Sequence, residues 1–137
     1  VEIREMLDTL ESFIAGLGDK NKIDINNAVF VANNLLGLNL PLEFRGAGRH
    51  GVKSLELYGI LEDMNPAQKN EKAFCIGKML ANYSHRELML MASYVWNEGR
   101  SSLSEPEREE AIALLKEKFG VIEKEHVRRP SAAAVSG

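Results

Sequence analysis

At 137 residues, 45% hydrophobic and 27% charged, the chain has room for one domain with its own core, and its ordinary globular composition excludes disorder of the whole. Its 20 acidic and 17 basic side chains leave a net charge of −3, so no global field draws it to nucleic acid or to an acidic membrane, and any such contact has to be local. One cysteine, Cys75, excludes an intrachain disulfide, and with three scattered histidines it makes no standard zinc site.

The chain opens on Val-Glu-Ile-Arg-Glu, without the charged-then-apolar pattern of a signal peptide. The absence of an initiator Met leads to the expectation of a processed chain or a fragment. Ile3, Met6, Leu7, Leu10, Phe13, Ile14 and Leu17 form one stripe at helical spacing, with Gly16 and Gly18 as stop signals. A second helix is expected to start near Asp24 or Asn26 as N-cap. It carries Ala28, Val29, Phe30, Val31, Ala32, Leu35 and Leu36 and few charges, which marks it as central. Gly37 and Pro41 bracket its end.

Residues 43–54 contain Gly46, Gly48 and Gly51 and read as the longest irregular stretch of the domain. Ser54 caps a short third helix through Leu55, Tyr58, Leu61 and Met64. Asn65-Pro66 reads as the start of a fourth helix running to about Asn82, with Ala73, Phe74, Gly77, Leu80 and Ala81 inward. Ser84-His85-Arg86-Glu87 and Ser104-Glu105-Pro106-Glu107 are capping boxes that open the fifth and sixth helices. Leu88, Met91, Ala92 and Val95 stripe the fifth, with Trp96 at its end and Gly99 as stop. Ala111, Ile112, Leu114, Leu115 and Phe119 stripe the sixth, which ends at Gly120. No strand pattern, internal repeat or long heptad run is visible, and no apolar run approaches the roughly 20 residues of a membrane helix.

Charge is segregated. Residues 45–86 hold seven basic side chains (Arg45, Arg49, Lys53, Lys69, Lys72, Lys78, Arg86) against four acidic ones, net +3, whereas the first helix is net −3. Between Arg45 and Lys53 there is no acidic residue. Arg45, Arg49, His50 and Lys53 among glycines resemble an anion-binding loop, in which exposed N–H groups and Arg forks hold phosphate and the glycines admit a ligand closely. The Gly-Lys-Ser/Thr of a P-loop is missing, and a solvated helix connector is the competing reading. Lys69, Lys72, Lys78 and Arg86 are expected to extend this footprint along one helix face.

The fourth and fifth helices suggest a helix-turn-helix with His85, Arg86 and Glu87 at the head of the second helix, although the turn lacks the usual glycine. Met89, Met91, Tyr94 and Trp96 make either core or a partner groove. Cys75, mid-helix among apolar neighbours, is expected to be a buried, inert thiol. His50 and His85 are expected at the surface, with no carboxylate or nucleophile placed beside them.

The sequence therefore predicts an all-α, compact bundle of about six short-to-medium helices over 1–122, with an irregular glycine-rich basic loop after the second helix and a disordered tail over 123–137. No catalytic residue, metal ligand or cofactor is expected. The functional expectation is a cytoplasmic, non-enzymatic regulatory or assembly protein, bacterial or viral in style. It contacts DNA or RNA through Arg45, Arg49, His50, Lys53, Lys69, Lys72, Lys78 and Arg86. The alternative is a protein-only adaptor or structural module that binds a protein partner or itself. A weaker one is an enzyme acting on a phosphorylated substrate.

The tail reading has a direct check. Deleting the residues after His126 leaves the melting temperature almost unchanged in a thermal melt; a loss of several degrees would show that the tail docks on the domain.

Overall fold

The stripes, caps and glycines of the sequence fold into six α-helices in the computed structural model, which describes residues 2–97 and 103–119. They are α1 (Glu2–Leu17), α2 (Lys22–Leu35), α3 (Leu55–Leu61), α4 (Glu71–Leu80), α5 (His85–Asn97) and α6 (Glu105–Phe119). Two strands of two residues each, β1 (Arg45–Gly46) and β2 (Val52–Lys53), make a small antiparallel ribbon around a 3₁₀ turn at Gly48–His50. The fold is all-α as expected, but the glycine-rich loop is an ordered hairpin and corrects the expectation of no strand. Gly99, Gly120 and the 123–137 tail lie outside the described residues.

The inner stripe of α1 is Leu10, Phe13, Ile14 and Leu17, all buried; Ile3 stays outside it. Gly18, at φ +91°, ends the helix. Gly16 is not a stop signal, because it lies within α1 and sets its distance from α4. A Cβ on Gly16 would stand 2.1 Å from the Phe74 carbonyl oxygen, and one on Gly77 would stand 2.1 Å from that of Phe13. Two glycines thus let the backbones of α1 and α4 touch, and each is the other's principal packing partner.

The second helix starts earlier than expected, because Asn21 is its N-cap and accepts the Asp24 N–H at 2.7 Å. Asp24 and Asn26 are instead buried inside the helix. Ala28, Val29, Val31 and Ala32 are fully buried, which confirms α2 as the central element; it packs on α5, the ribbon and α3.

Ser54 caps α3 as read, its Oγ accepting the Leu57 N–H at 3.2 Å. The inward residue is Leu57, however, while Leu55 is exposed. The Ser54 N–H donates to Asn26 on α2, so the helix turns Ser54 and Leu57 inward and Leu55 outward.

Asn65-Pro66 does not begin α4. Residues 65–70 run along α1, where Ser12 Oγ accepts the N–H groups of both Lys69 and Asn70 at 2.8 and 2.7 Å. Asn70 then caps the helix by accepting from Ala73 N–H. Tertiary bonds to α1 override the local start signal. On α4 Cys75 points outward, which corrects the buried thiol.

Both capping boxes form as written. Ser84 and Glu87 exchange bonds of 2.9 and 3.1 Å, and Ser104 and Glu107 exchange bonds of 2.8 and 3.3 Å. Leu88, Met91, Ala92 and Val95 are buried on α5, which packs on both α2 and α6; Ala111 and Leu115 are buried on α6. Among the described residues no helix is long and apolar enough to cross a membrane.

The glycine crossing makes a prediction opposite in sign to helix propensity. Propensity alone favours Ala over Gly by about 1 kcal/mol in a helix interior. Gly16→Ala is nevertheless expected to destabilise, by about 1–3 kcal/mol, since the methyl meets backbone that cannot rotate away. Gly59→Ala on α3, with open space around the new Cβ, is expected to be neutral or mildly stabilising. Urea titrations of the two variants decide; a stabilised Gly16→Ala would contradict the close crossing.

Candidate functional site

The ribbon has too few backbone hydrogen bonds to hold itself, and its buried polar groups need partners from elsewhere. Two asparagines on α2, both fully buried, supply them. Asn27 Nδ2 donates to the His50 carbonyl at 2.9 Å, and Asn27 Oδ1 accepts the Val52 N–H at 2.9 Å. Asn26 Oδ1 accepts the Ser54 N–H at 2.7 Å. Gly51, at φ +89°, passes so close to the Asn27 amide that a Cβ there would stand 2.3 Å from Oδ1. Two of the loop glycines therefore make room for the protein's own side chains, Gly51 for Asn27 and Gly46 for the Trp96 indole.

The ribbon pairs Arg45 with Lys53 and Gly46 with Val52. Two cations thus stand directly opposite one another, an unfavourable cross-strand pairing in the absence of an anion. Among the described residues neither has a carboxylate within ion-pair distance. Both line an open cleft of about 460 Å³ with His50, Tyr58, Ile23 and Val52 and, among the described residues, no acidic side chain. Arg49 lies in the adjoining 3₁₀ turn, and its side chain falls outside the described residues. A shallower hollow on the other side of the Arg45–Lys53 pair contains Glu43 and Glu56, whose Oε1 accepts the Glu43 N–H.

The remaining predicted cations are not brought to this cleft. Lys69 is held by Glu11 at 3.1 Å and Asp8 at 3.5 Å on α1, and the Glu11 hydrogen bond and charge raise its pKa. Arg86 bonds Glu110 on α6 at 2.6 Å, and the same carboxylate raises its pKa. Lys72 and Lys78 project from the exposed side of α4, Lys78 over the Phe74 ring at 5.7 Å.

The head of α5 is similarly occupied. His85 Nδ1 lies 2.5 Å from the Asp24 carboxylate, so the expectation of no neighbouring carboxylate is corrected. Arg86 is paired, and Glu87 closes the capping box. The fourth and fifth helices seat on different partners, α4 on α1 and α5 on α2 and α6, so they do not form the packed pair of a helix-turn-helix.

A second cleft, of about 350 Å³, was not anticipated. Phe30, Phe44 and Trp96 line it together with Asn33, Asn34 and Asn39. The Phe30 ring stands 5.3 Å from Phe44 edge-on and 5.8 Å from Trp96. Of the Met/aromatic cluster, Met91 is core, Met89 and Tyr94 are half-buried, and Trp96 remains 37% exposed at the ribbon. Among the described residues no group of His, Cys, Asp and Glu is placed to hold a metal. Comparison with protein-family models, with curated proteins and with solved structures yields no match.

The α2 anchor can be tested apart from any ligand. Asn27→Ala strands the Val52 N–H and the His50 carbonyl, at about 1–3 kcal/mol for each polar group left buried without a partner. The expected result is a cooperative loss of that order in urea, with faster amide exchange at Val52 than in the wild type. Unchanged exchange at Val52 would show that the hairpin does not depend on Asn27.

Proposed function

We propose that the chain is a non-enzymatic regulatory or assembly protein that contacts nucleic acid through the ribbon cleft. The observation that carries this reading is the facing pair Arg45 and Lys53, with His50 in the same cleft and, among the described residues, no carboxylate lining it. Phosphate is the ligand that turns such a cross-strand repulsion into attraction, and Arg and Lys bind it without reading sequence. The backbone beneath is fixed by Asn26 and Asn27, so the cations are presented on an ordered support. The footprint is narrower than composition suggests, because Lys69 and Arg86 are engaged by carboxylates of their own.

A protein-only adaptor is the second reading. It is favoured by Leu55, 58% exposed at the rim of the hollow that contains Phe44, Glu43 and Glu56. A partner with an apolar side chain and a basic neighbour fits that surface.

Replacing Arg45, Arg49 and Lys53 together by Ser separates the two. The nucleic-acid reading expects a melting temperature no lower than that of the wild type, since the Arg45–Lys53 repulsion is removed, and weaker binding to DNA or RNA. It also expects a log–log salt slope flatter by roughly 0.7–0.9 for each phosphate that the variant no longer neutralises. Absence of binding by the wild type at low salt, or binding that the triple substitution leaves intact, would refute it.

A further inference from the structure

The two clefts flank one strand. Phe44, just before β1, lines the aromatic cleft, and its neighbour Arg45 lines the cationic one; the two also share the hollow that contains Glu43 and Glu56. The aromatic cleft has the partly exposed Trp96, the half-buried Phe44 and amides that lack partners for all their polar atoms among the described residues. Asn33 is consumed by Leu40, whose N–H and carbonyl it bonds at 2.9 Å each. Asn34 donates Nδ2 to the Phe30 carbonyl and keeps its oxygen, and exposed Asn39 forms no hydrogen bond among the described residues.

Aromatic rings beside free amides suit a nucleobase, which has a π face to stack and an edge to hydrogen-bond. Cations one residue away suit the phosphate that follows it. Tyr58, in the cationic cleft with His50, offers a further ring to the next base. Glu43 and Glu56 repel phosphate on the third side, so a strand running over Arg45 and Lys53 is directed toward Tyr58.

We infer that the ligand of this surface is single-stranded nucleic acid, with one base in the cleft lined by Phe30, Phe44 and Trp96 and the adjoining phosphate on Arg45 and Lys53. The inference rests on the nucleic-acid reading above and adds the strandedness and the base pocket. A duplex keeps its base faces stacked inside and has only phosphates to offer, so it can use the cations and not the rings.

Trp96 is the sole tryptophan and reports on its own cleft. The experiment titrates the wild type with a short oligothymidylate, a short oligoadenylate and a duplex of equal length. Binding is followed by Trp fluorescence and by anisotropy of labelled strands. The expected result is tighter binding of single strands than of duplex, with quenching by single strands only. Trp96→Ala is expected to weaken single-strand binding roughly 5- to 150-fold, the loss of one base–aromatic stack, and to leave duplex binding unchanged. Trp96→Phe, which keeps a ring against Gly46, is expected to restore most of the affinity, and Phe44→Ala gives a second route should Trp96→Ala melt early. Equal binding of duplex and single strand, abolished by substituting Arg45, Arg49 and Lys53 but indifferent to Trp96 and Phe44, would overturn the inference and leave the phosphate reading standing. No binding of any strand would overturn both.

Discussion

The hydrogen bonds that α2 directs sideways, out of its own helix, are the constraint on which the shape of the candidate site depends. Residues 36–54 make up the long non-helical passage between α2 and α3, and its buried N–H and carbonyl groups find little satisfaction in a ribbon of two-residue strands. Asn26, Asn27 and Asn33 satisfy them in place of a sheet. Asn26 and Asn33 are seven residues apart, close to two helical turns, so one side of α2 addresses both ends of the passage. Asparagine is a poor helix former because its amide competes for backbone groups. Here that tendency is turned on the backbone of another segment, and the helix tolerates it because Ile25, Ala28, Val29, Phe30, Val31 and Ala32 bury its apolar side in the core.

The contact of α1 with α4 is of another kind, and it explains where the charge went. Backbone contact at Gly16 and Gly77 brings the segment before α4 against α1, where Ser12 takes two of its N–H groups. Lys69 then falls beside Asp8 and Glu11. The acidic first helix and the basic middle of the chain therefore meet as neighbours. The net +3 of residues 45–86 does not form one face, because part of it neutralises α1 and part, through Arg86, neutralises α6.

The features legible in the sequence were those whose partners lie within a turn or two along the chain. The capping boxes at Ser84 and Ser104 each close over three residues, and the stripes of α1 and α5 repeat every three or four. Features whose partners lie far along the chain were not legible. Asp24 meets His85 across 61 positions, Ser12 meets Asn70 across 58, and Asn27 meets Val52 across 25. Without those partners Asn70 loses out to Asn65-Pro66 as a helix start, and Gly16 is indistinguishable from a terminating glycine. Cys75 failed differently: its apolar neighbours Phe74 and Ile76 suggested burial, but adjacent helix positions lie about 100° apart, and Cys75 falls on the outer arc. At the site, Arg45, His50 and Lys53 could be read from their isolation among glycines. The aromatic cleft could not, since Phe30, Phe44 and Trp96 come from three separate segments.

A negative total charge does not argue against a phosphate site on this molecule. At physiological ionic strength the field of an exposed charge decays over about 8 Å, so a ligand at the ribbon responds to the side chains around it and not to the sum over the surface. Lining its cleft are Arg45 and Lys53, with no carboxylate at ion-pair distance among the described residues, and a histidine, on a backbone already ordered by Asn26 and Asn27. The repulsion between Arg45 and Lys53 is met in the free protein by those bonds, and an anion seated between them relieves it. Binding would then order side chains alone and leave the loop as folding made it, which is the condition under which a few contacts give useful affinity.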